Sequence, residues 1–493
     1  MAKKILIIGA GIAGLSAGVH ALRNGYEVEI FEKQDFPGGL CTSRDKRGYT
    51  FDGCIHRLTG TRPGSQFNRL WREIGALEDT KIVVNDPFLT VENGGGDPLQ
   101  MFGDLDRLEE HLLQKCPEDK MMIREITGAA RAFAGAMFPF EKPDELYKIW
   151  DFPVMLVRMM PLFKVMGKFS RVSITEYFAR AKNTSFREAF GLIMPPGYSM
   201  INLISTLASL HNRDAGFPCG GSLQFVRSIE KRFHEWGGVV NYGCPVKEIR
   251  INNGRAVGLL LEKGEEVSGD IVISASDLYH TAYELLGGQY LTPLIKESFH
   301  NFPVYSSVRV SLGIKADLSA EARCPVIRLD IPINGGGEES RYLYLINYSF
   351  DPSLAPAGKT VVGASLYSSY DYWRKVSGDK SRHEAKKEQL VEQVTGVVEK
   401  RFPPARGKIE AMDVVTPVTY ERYTNVYKGA YMGWIVPPEE GRFKIPKELP
   451  GLKDFYQIGQ WIEPPAGMHG SMLTGRHVIQ LICRRDGKPF RAS

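Results

Sequence analysis

The sequence predicts an α/β fold in which a Rossmann-like domain, discontinuous along the chain, carries an inserted α+β domain. Three observations predict it. Residues 3–32 read as strand, glycine turn, helix and strand. Buried-strand patterning returns at 270–274 and 455–458, the latter followed by a helix around 470–484. Between these lie a helix-patterned stretch, 104–217, and longer strands at 304–315 and 342–350.

The opening unit is the most specific. An apolar run, Ile5-Leu6-Ile7-Ile8, leads into Gly9-Ala10-Gly11-Ile12-Ala13-Gly14, and a second strand, 27–31, ends at Glu32. Gly9 permits the sharp turn, Gly11 lets backbone approach a pyrophosphate, and Gly14 lets the helix lie close on the sheet. The helix N-terminus offers free N–H groups and a positive dipole end to phosphates. Glu32 falls close to the expected ~20-residue interval past the glycines, where its carboxylate can accept from a ribose hydroxyl.

Composition narrows the class. The 493 residues leave room for two or three domains at roughly 150 residues each. The 62 Lys and Arg against 57 Asp and Glu are too balanced and dispersed for a nucleic-acid partner. Seven cysteines, an odd count without a CxxC pair, read as reduced thiols. With a strand beginning at residue 3 and no run of about 20 apolar residues, neither a signal peptide nor a spanning helix is expected. The expected location is cytoplasmic. No metal-ligand spacing of the HExxH or CxxC kind occurs, so no metal site is predicted.

Along the chain, Gly38-Gly39 form a loop and 49–56 a strand entering a turn. Residues 222–235 read as a helix. A β-rich block follows, with strands at 239–242, 246–250, 256–261 and 270–274 and a hairpin turn at Asn252-Asn253-Gly254. Residues 383–401 form a charged amphipathic helix ended by Pro403-Pro404.

Four of these features, the Gly9–Glu32 unit, the Gly38-Gly39 loop, the Phe51-Asp52 turn and the Gly459–Gly470 cluster, together resemble one group. This is the FAD-dependent oxidoreductases of the phytoene desaturase, carotenoid isomerase and retinol saturase type, relatives of the flavin amine oxidases. Val246-Lys247-Glu248-Ile249, Ala275-Ser276-Asp277 and 416–434 fit the same group, so the resemblance spans nearly the whole chain. It implies an FAD-binding domain in three parts (1–79, 218–299 and 446–493). It also implies a substrate domain in two, 80–217 (helical) and 300–445 (sheet). The implied cofactor-binding residues are Gly9, Gly11, Ile12, Ala13, Gly14, Glu32, Lys33, Gly38, Gly39, Leu40, Ile55, His56, Val246, Gly459, Gln460, Met468, His469 and Ser471. The sequence departs from the group at Gly53-Cys54, where glycine usually comes one residue later, and at Pro465, where glycine is common. His56 and His469 are candidate catalytic residues; the alternative is that each is a hydrogen-bonding loop residue.

The group moves a hydride between FAD and a long apolar molecule, so the resemblance implies a polyene, isoprenoid or lipid-like substrate in a water-excluding pocket. Three alternatives stand beside this: a flavin amine oxidase with Tyr420, Tyr423 and Trp434 as its rings, a redox-neutral isomerase, and a non-catalytic prenyl carrier. The intact glycine loop and Glu32 speak against the carrier. A nicotinamide cofactor has no second motif. Residues 150–169, rich in Met and Phe with interspersed Arg and Lys, suggest peripheral contact with the inner face of a membrane, and Pro153 and Pro161 are expected to keep them from forming one helix. No oligomeric state is predicted.

Overall fold

The computed structural model describes residues 2–492 apart from 94–96, 137, 196, 465 and 466. Its centre is a five-stranded parallel sheet in the order Val239–Asn241, Glu27–Phe31, Lys4–Ile8, Ile271–Ser274, Phe455–Gln457. The strands come from three separated stretches of chain. The central strands are apolar at successive positions because both faces are covered. Ile5, Ile7, Ile271 and Ile273 point into a core shared with the helices Ile12–Arg23, Gly221–Glu235 and Gly467–Arg485. Leu6, Ile8 and Val272 point the other way, onto a three-stranded meander, Val246–Asn252, Arg255–Leu261 and Glu266–Ser268. The meander's first turn places Asn253 and Gly254 at φ 49° and 69°, the left-handed pair of a tight hairpin. Val239–Asn241, grouped with the meander on sequence grounds, joins the parallel sheet as its edge beside Glu27–Phe31.

The second sheet has seven strands in the order Ile409–Val415, Ser306–Ile314, Thr360–Ser368, Glu339–Asn347, Pro325–Asn334, Leu89–Glu92, Leu99–Met101. The helix Lys380–Arg401 covers it through Leu390, Val394 and Val398. A helical layer that includes Leu105–Lys115, Lys120–Ala134, Phe152–Phe169 and Met200–His211 builds a separate core beside the first strands.

Residues 152–169 form one helix, against the expectation that two prolines would divide them. Pro153 lies in the first turn, where its missing N–H has no intrahelical partner to lose. At the interior position 161 the lost backbone bond is outweighed by packing, since Leu162, Val165 and Phe169 are all buried in the helical core. No helix among the described residues is long and apolar enough to cross a membrane.

Candidate functional site

One cavity of about 810 Å³ runs from the parallel sheet to the seven-stranded sheet. Its nucleotide end is shaped by glycine. Gly9 turns at φ +98°, and a Cβ on Gly14 would lie 2.0 Å from the Gly9 carbonyl oxygen. At Gly11 a Cβ would meet protein only at the Gly38 oxygen, 3.8 Å away, so its open side is cavity. Gly11 is also the N-cap of Ile12–Arg23 and supplies no side-chain cap, which leaves the first-turn N–H groups available to an anion. The Gly38-Gly39 loop, at φ +119° and +59°, seats on this turn through Gly38 N–H donating to the Ala10 carbonyl at 2.9 Å.

Glu32 closes this end. One carboxylate oxygen accepts from Ala10 N–H at 2.8 Å and the other from Gln34 N–H at 2.9 Å. Burial raises its pKa against the pull of those bonds. These features fit a dinucleotide lying with its pyrophosphate over Gly11 and a ribose at Glu32. Lys33 lines the cavity too, but its ammonium is held by the Arg422 carbonyl, at 3.0 Å, and by Asn425 Oδ1.

Nearly all the expected cofactor residues meet on this wall: Gly9, Gly11, Ile12, Ala13, Glu32, Lys33, Gly38, Gly39, Leu40, His56, Val246, Gly459, Gln460, Met468, His469 and Ser471. Gly14 and Ile55 do not. Gly14 serves close packing behind the turn, as its spacing implies. Ile55 is fully buried in the core, with its N–H donating to Ser222 Oγ at 2.9 Å. The strand-to-turn alternation puts His56 toward the cavity and its neighbour inward. Pro465 lies outside the described residues; the helix that follows begins at Gly467 and brings Met468 and His469 to the cavity.

The Gly53-Cys54 departure has a local cause. Gly53 N–H donates to the Thr42 carbonyl at 3.0 Å, and a Cβ there would stand 2.8 Å from that oxygen. Asp52, buried, holds the turn by accepting from Cys54 N–H at 3.1 Å and Ser222 Oγ at 3.0 Å.

Beyond the turn, a polar cluster forms around His56. Arg309 Nη1 donates to His56 Nε2 at 2.9 Å, and Nη2 donates to the Tyr348 hydroxyl at 2.7 Å. With Nε2 accepting, the neutral His56 ring carries its proton on Nδ1. Burial, reinforced by the charges of Arg309 and Arg57, pushes its pKa down to about 3. Burial alone brings His469 to about 4; its ring packs edge-on against Phe67, 5.2 Å between centroids. Both candidate histidines are therefore uncharged near neutral pH, and what they offer is a hydrogen bond.

Arg57, Arg309 and Tyr344 were not among the expected site residues, yet all three line the cavity. Arg309 carries a readable signal, as the lone charge in the apolar strand Ser306–Ile314. Of the expected aromatic rings, Tyr420 and Tyr423 line the cavity, whereas Trp434 is fully buried against Phe299, Phe443 and Trp461. The remaining wall is mixed: Phe88, Leu89, Ile193, Met194, Val326 and Leu366 form an apolar stretch, and Asn202, Ser205, Glu339, Arg341 and Ser365 also line it.

Comparison with known proteins agrees with this geometry. A family model described as flavin containing amine oxidoreductase matches residues 12–483. Prolycopene isomerase of Daucus carota is 24% identical over 484 residues, 95% of this chain and 78% of that protein. The neurosporene-forming phytoene desaturase of Rhodobacter capsulatus is 23% identical over 516 residues, 97% of this chain and 94% of that one. The crystal structure of an oxidoreductase from Methanosarcina mazei superposes with a TM-score of 0.59 at 17% identity, covering 97% of this chain and 100% of its own.

Proposed function

The chain belongs to the flavin containing amine oxidoreductase family, within the phytoene desaturase, carotenoid isomerase and retinol saturase group, with FAD as its cofactor; from that premise we propose that its substrate is a hydrophobic polyene, isoprenoid or lipid-like molecule. When bound, FAD supplies hydride acceptance and donation to a carbon of that substrate. The observation that carries the reading is the continuity of the cavity. One cavity takes in the glycine turn, His56 and His469, and the apolar stretch of Phe88, Leu89, Ile193, Met194 and Val326. Such a stretch excludes water and orients a chain that has no acidic handle of its own.

The same geometry disfavours an amine substrate. The guanidinium groups of Arg57 and Arg309 repel an ammonium ion, and Trp434 is unavailable as a cage ring. Relatives named as an isomerase and as a desaturase leave net redox change and redox-neutral isomerisation as outcomes of one experiment. The FAD-loaded protein is mixed anaerobically with polyenes of graded length, and flavin absorbance and product geometry are followed. Bleaching near 450 nm, or cis–trans conversion by the pre-reduced protein, supports the reading. Neither with any apolar substrate, together with turnover of a simple amine, overturns it.

Peripheral contact with a lipid surface is part of this proposal. Ile149, Trp150, Leu156, Val157, Met160 and Phe163 are exposed, Trp150 at 67% and Met160 at 63%, on a segment that also presents Lys164, while Lys168 pairs with Glu125. Large apolar side chains beside a lysine suit an interfacial helix whose lysine reaches anionic headgroups. Flotation with anionic vesicles is expected for the wild type, and its loss for a variant carrying Leu156→Ser, Val157→Ser and Met160→Ser. Flotation unchanged by the three substitutions overturns the assignment.

A further inference from the structure

Two arginines on the cavity lining have no carboxylate partner among the described residues: Arg341, which is exposed, and Arg57, which is half-buried. Arg57 lines the cavity beside the apolar stretch. Among the described residues its hydrogen-bond partner is a weak one, the Met194 sulfur, 3.9 Å from Nη2, and no carboxylate stands within ion-pair distance of it. The groups that act on it electrostatically are Tyr344 and Cys324, both neutral near pH 7 because burial raises their pKa values. Burial works against the guanidinium as well, yet arginine keeps its charge in proteins.

Arg309, its neighbour across His56, shows what a balanced arginine looks like here. It is held by the Tyr348 hydroxyl at 2.7 Å and by the field of the buried Asp52 carboxylate. The acids that line the cavity are committed elsewhere. Glu32 and Asp277 accept backbone N–H groups at the nucleotide end, and Glu339 stands at the exposed start of its strand. Burying an unpaired charge is costly, and a cavity that retains one is complementary to an anion.

We infer that the substrate ends in a carboxylate, which Arg57 holds while the apolar chain lies along Met194, Leu89 and Val326. This rests on the apolar-substrate reading above and narrows it to an amphipathic acid. A guanidinium presents two parallel N–H donors that match a carboxylate. Tyr344, hydrogen-bonded to Cys324, stands on the same wall. The half-buried Arg57 presents a single guanidinium, which matches a monoanion; a phosphate or diphosphate end would call on the exposed Arg341 as well.

The test uses the FAD-loaded full chain and three probes: all-trans-retinoic acid, its methyl ester and farnesyl diphosphate. Dissociation constants are read from tryptophan quenching, and seating beside the flavin from perturbation of its absorbance. Wild type is expected to bind the acid at least tenfold more tightly than the ester. In Arg57→Met that preference is expected to fall below threefold with ester affinity unchanged, and Arg57→Lys is expected to keep part of it. Because Arg57 has no carboxylate partner to lose among the described residues, Arg57→Met should melt no lower than wild type, so loss of binding would not reflect unfolding. Equal affinities for acid and ester in the wild type, or an acid preference that survives Arg57→Met, overturn the inference while ester binding leaves the apolar pocket standing. Tighter binding of farnesyl diphosphate overturns the carboxylate assignment. If none of the three binds, the apolar-substrate reading falls with it.

Discussion

Arg309 Nη1 and His56 Nε2 are joined by a 2.9 Å hydrogen bond on the wall of the cavity. The bond fixes the histidine tautomer, and the guanidinium charge opposes protonation of the ring. His56, at about 3, is expected to stay neutral from pH 5 to 8. Nitrogen-15 imidazole spectra of the FAD-loaded protein should show Nδ1 protonated and Nε2 bare throughout that range. Arg309→Met removes the donor and its charge, so the His56 midpoint should move up toward the ordinary 6.5. A wild-type midpoint above 5, or no movement in the variant, would contradict this account.

Stability should respond to acid through histidines of the interior and of the cavity wall. His56 lies at about 3, and His280, His469 and His477 at about 4, each lowered from 6.5 chiefly by burial. As pH falls from 6.5 toward 4, the unfolded chain takes up protons on these rings that the folded chain excludes. The folded state therefore loses stability across that window and has it in full above pH 6.5. Asp277, raised by burial from 3.8 to about 6, acts in the opposite sense between those values, as do Glu32, Asp52 and Asp214, also raised by burial, whereas the lowered His20 adds to the effect of the other histidines. The melting temperature at pH 5.5 should be below that at pH 7.5, and His477→Gln should flatten the slope. Equal melting temperatures at the two pH values would refute the argument.

The nucleotide end was legible because its signal is local: glycines at fixed spacing from a strand and an acid require no knowledge of the rest of the chain. Gly14 and Ile55 stand off the cavity lining: membership of a motif does not say which side chain faces the cavity. Residues 239–242 read as a strand but not as a partner of Glu27–Phe31, because parallel pairing is set by tertiary contact. Pro161 suggested a break that buried Leu162, Val165 and Phe169 override. Arg57, in the turn before Leu58–Thr59, and Tyr344, in the strand Glu339–Asn347, meet from far apart in sequence, and nothing in either neighbourhood signals the other.

The C-terminal helix can reach the cavity only because glycine stands at position 475. A Cβ there would lie 2.5 Å from the Ala13 carbonyl oxygen and 2.9 Å from Ala17 N, on the helix that begins at the glycine turn. Gly475→Ala must push the two helices apart, displacing Met468 and His469 relative to Gly11. It should cost about 1–3 kcal/mol and lower the FAD retained on purification. Gly396→Ala, in the exposed part of Lys380–Arg401 with no atom within 4 Å of its Cβ, is the matched control and should stabilise by roughly 0.5–1 kcal/mol. Thermal melts and the ratio of 450 to 280 nm absorbance distinguish the two; equal behaviour would show that the crossing tolerates a methyl group.

Behind the same crossing, Glu73 joins three elements. One of its oxygens accepts from Arg476 Nε at 2.7 Å and meets His20 Nε2 at 3.2 Å. Burial tends to raise the Glu73 pKa, but the bonds from His20 and Arg476 outweigh it and hold the carboxylate below its ordinary range. Arg476 is 5% exposed and His20 fully buried, so removing one member strands the charge of another. Arg476→Met should therefore destabilise by about 3–5 kcal/mol. Adding Glu73→Leu should recover part of that loss, because the abandoned carboxylate goes with it. Denaturant unfolding of the two single variants and the double variant measures the coupling. Strictly additive losses would mean that the three groups are held by packing alone, and that the ion pair does not fix the angle at which the C-terminal helix meets the cavity.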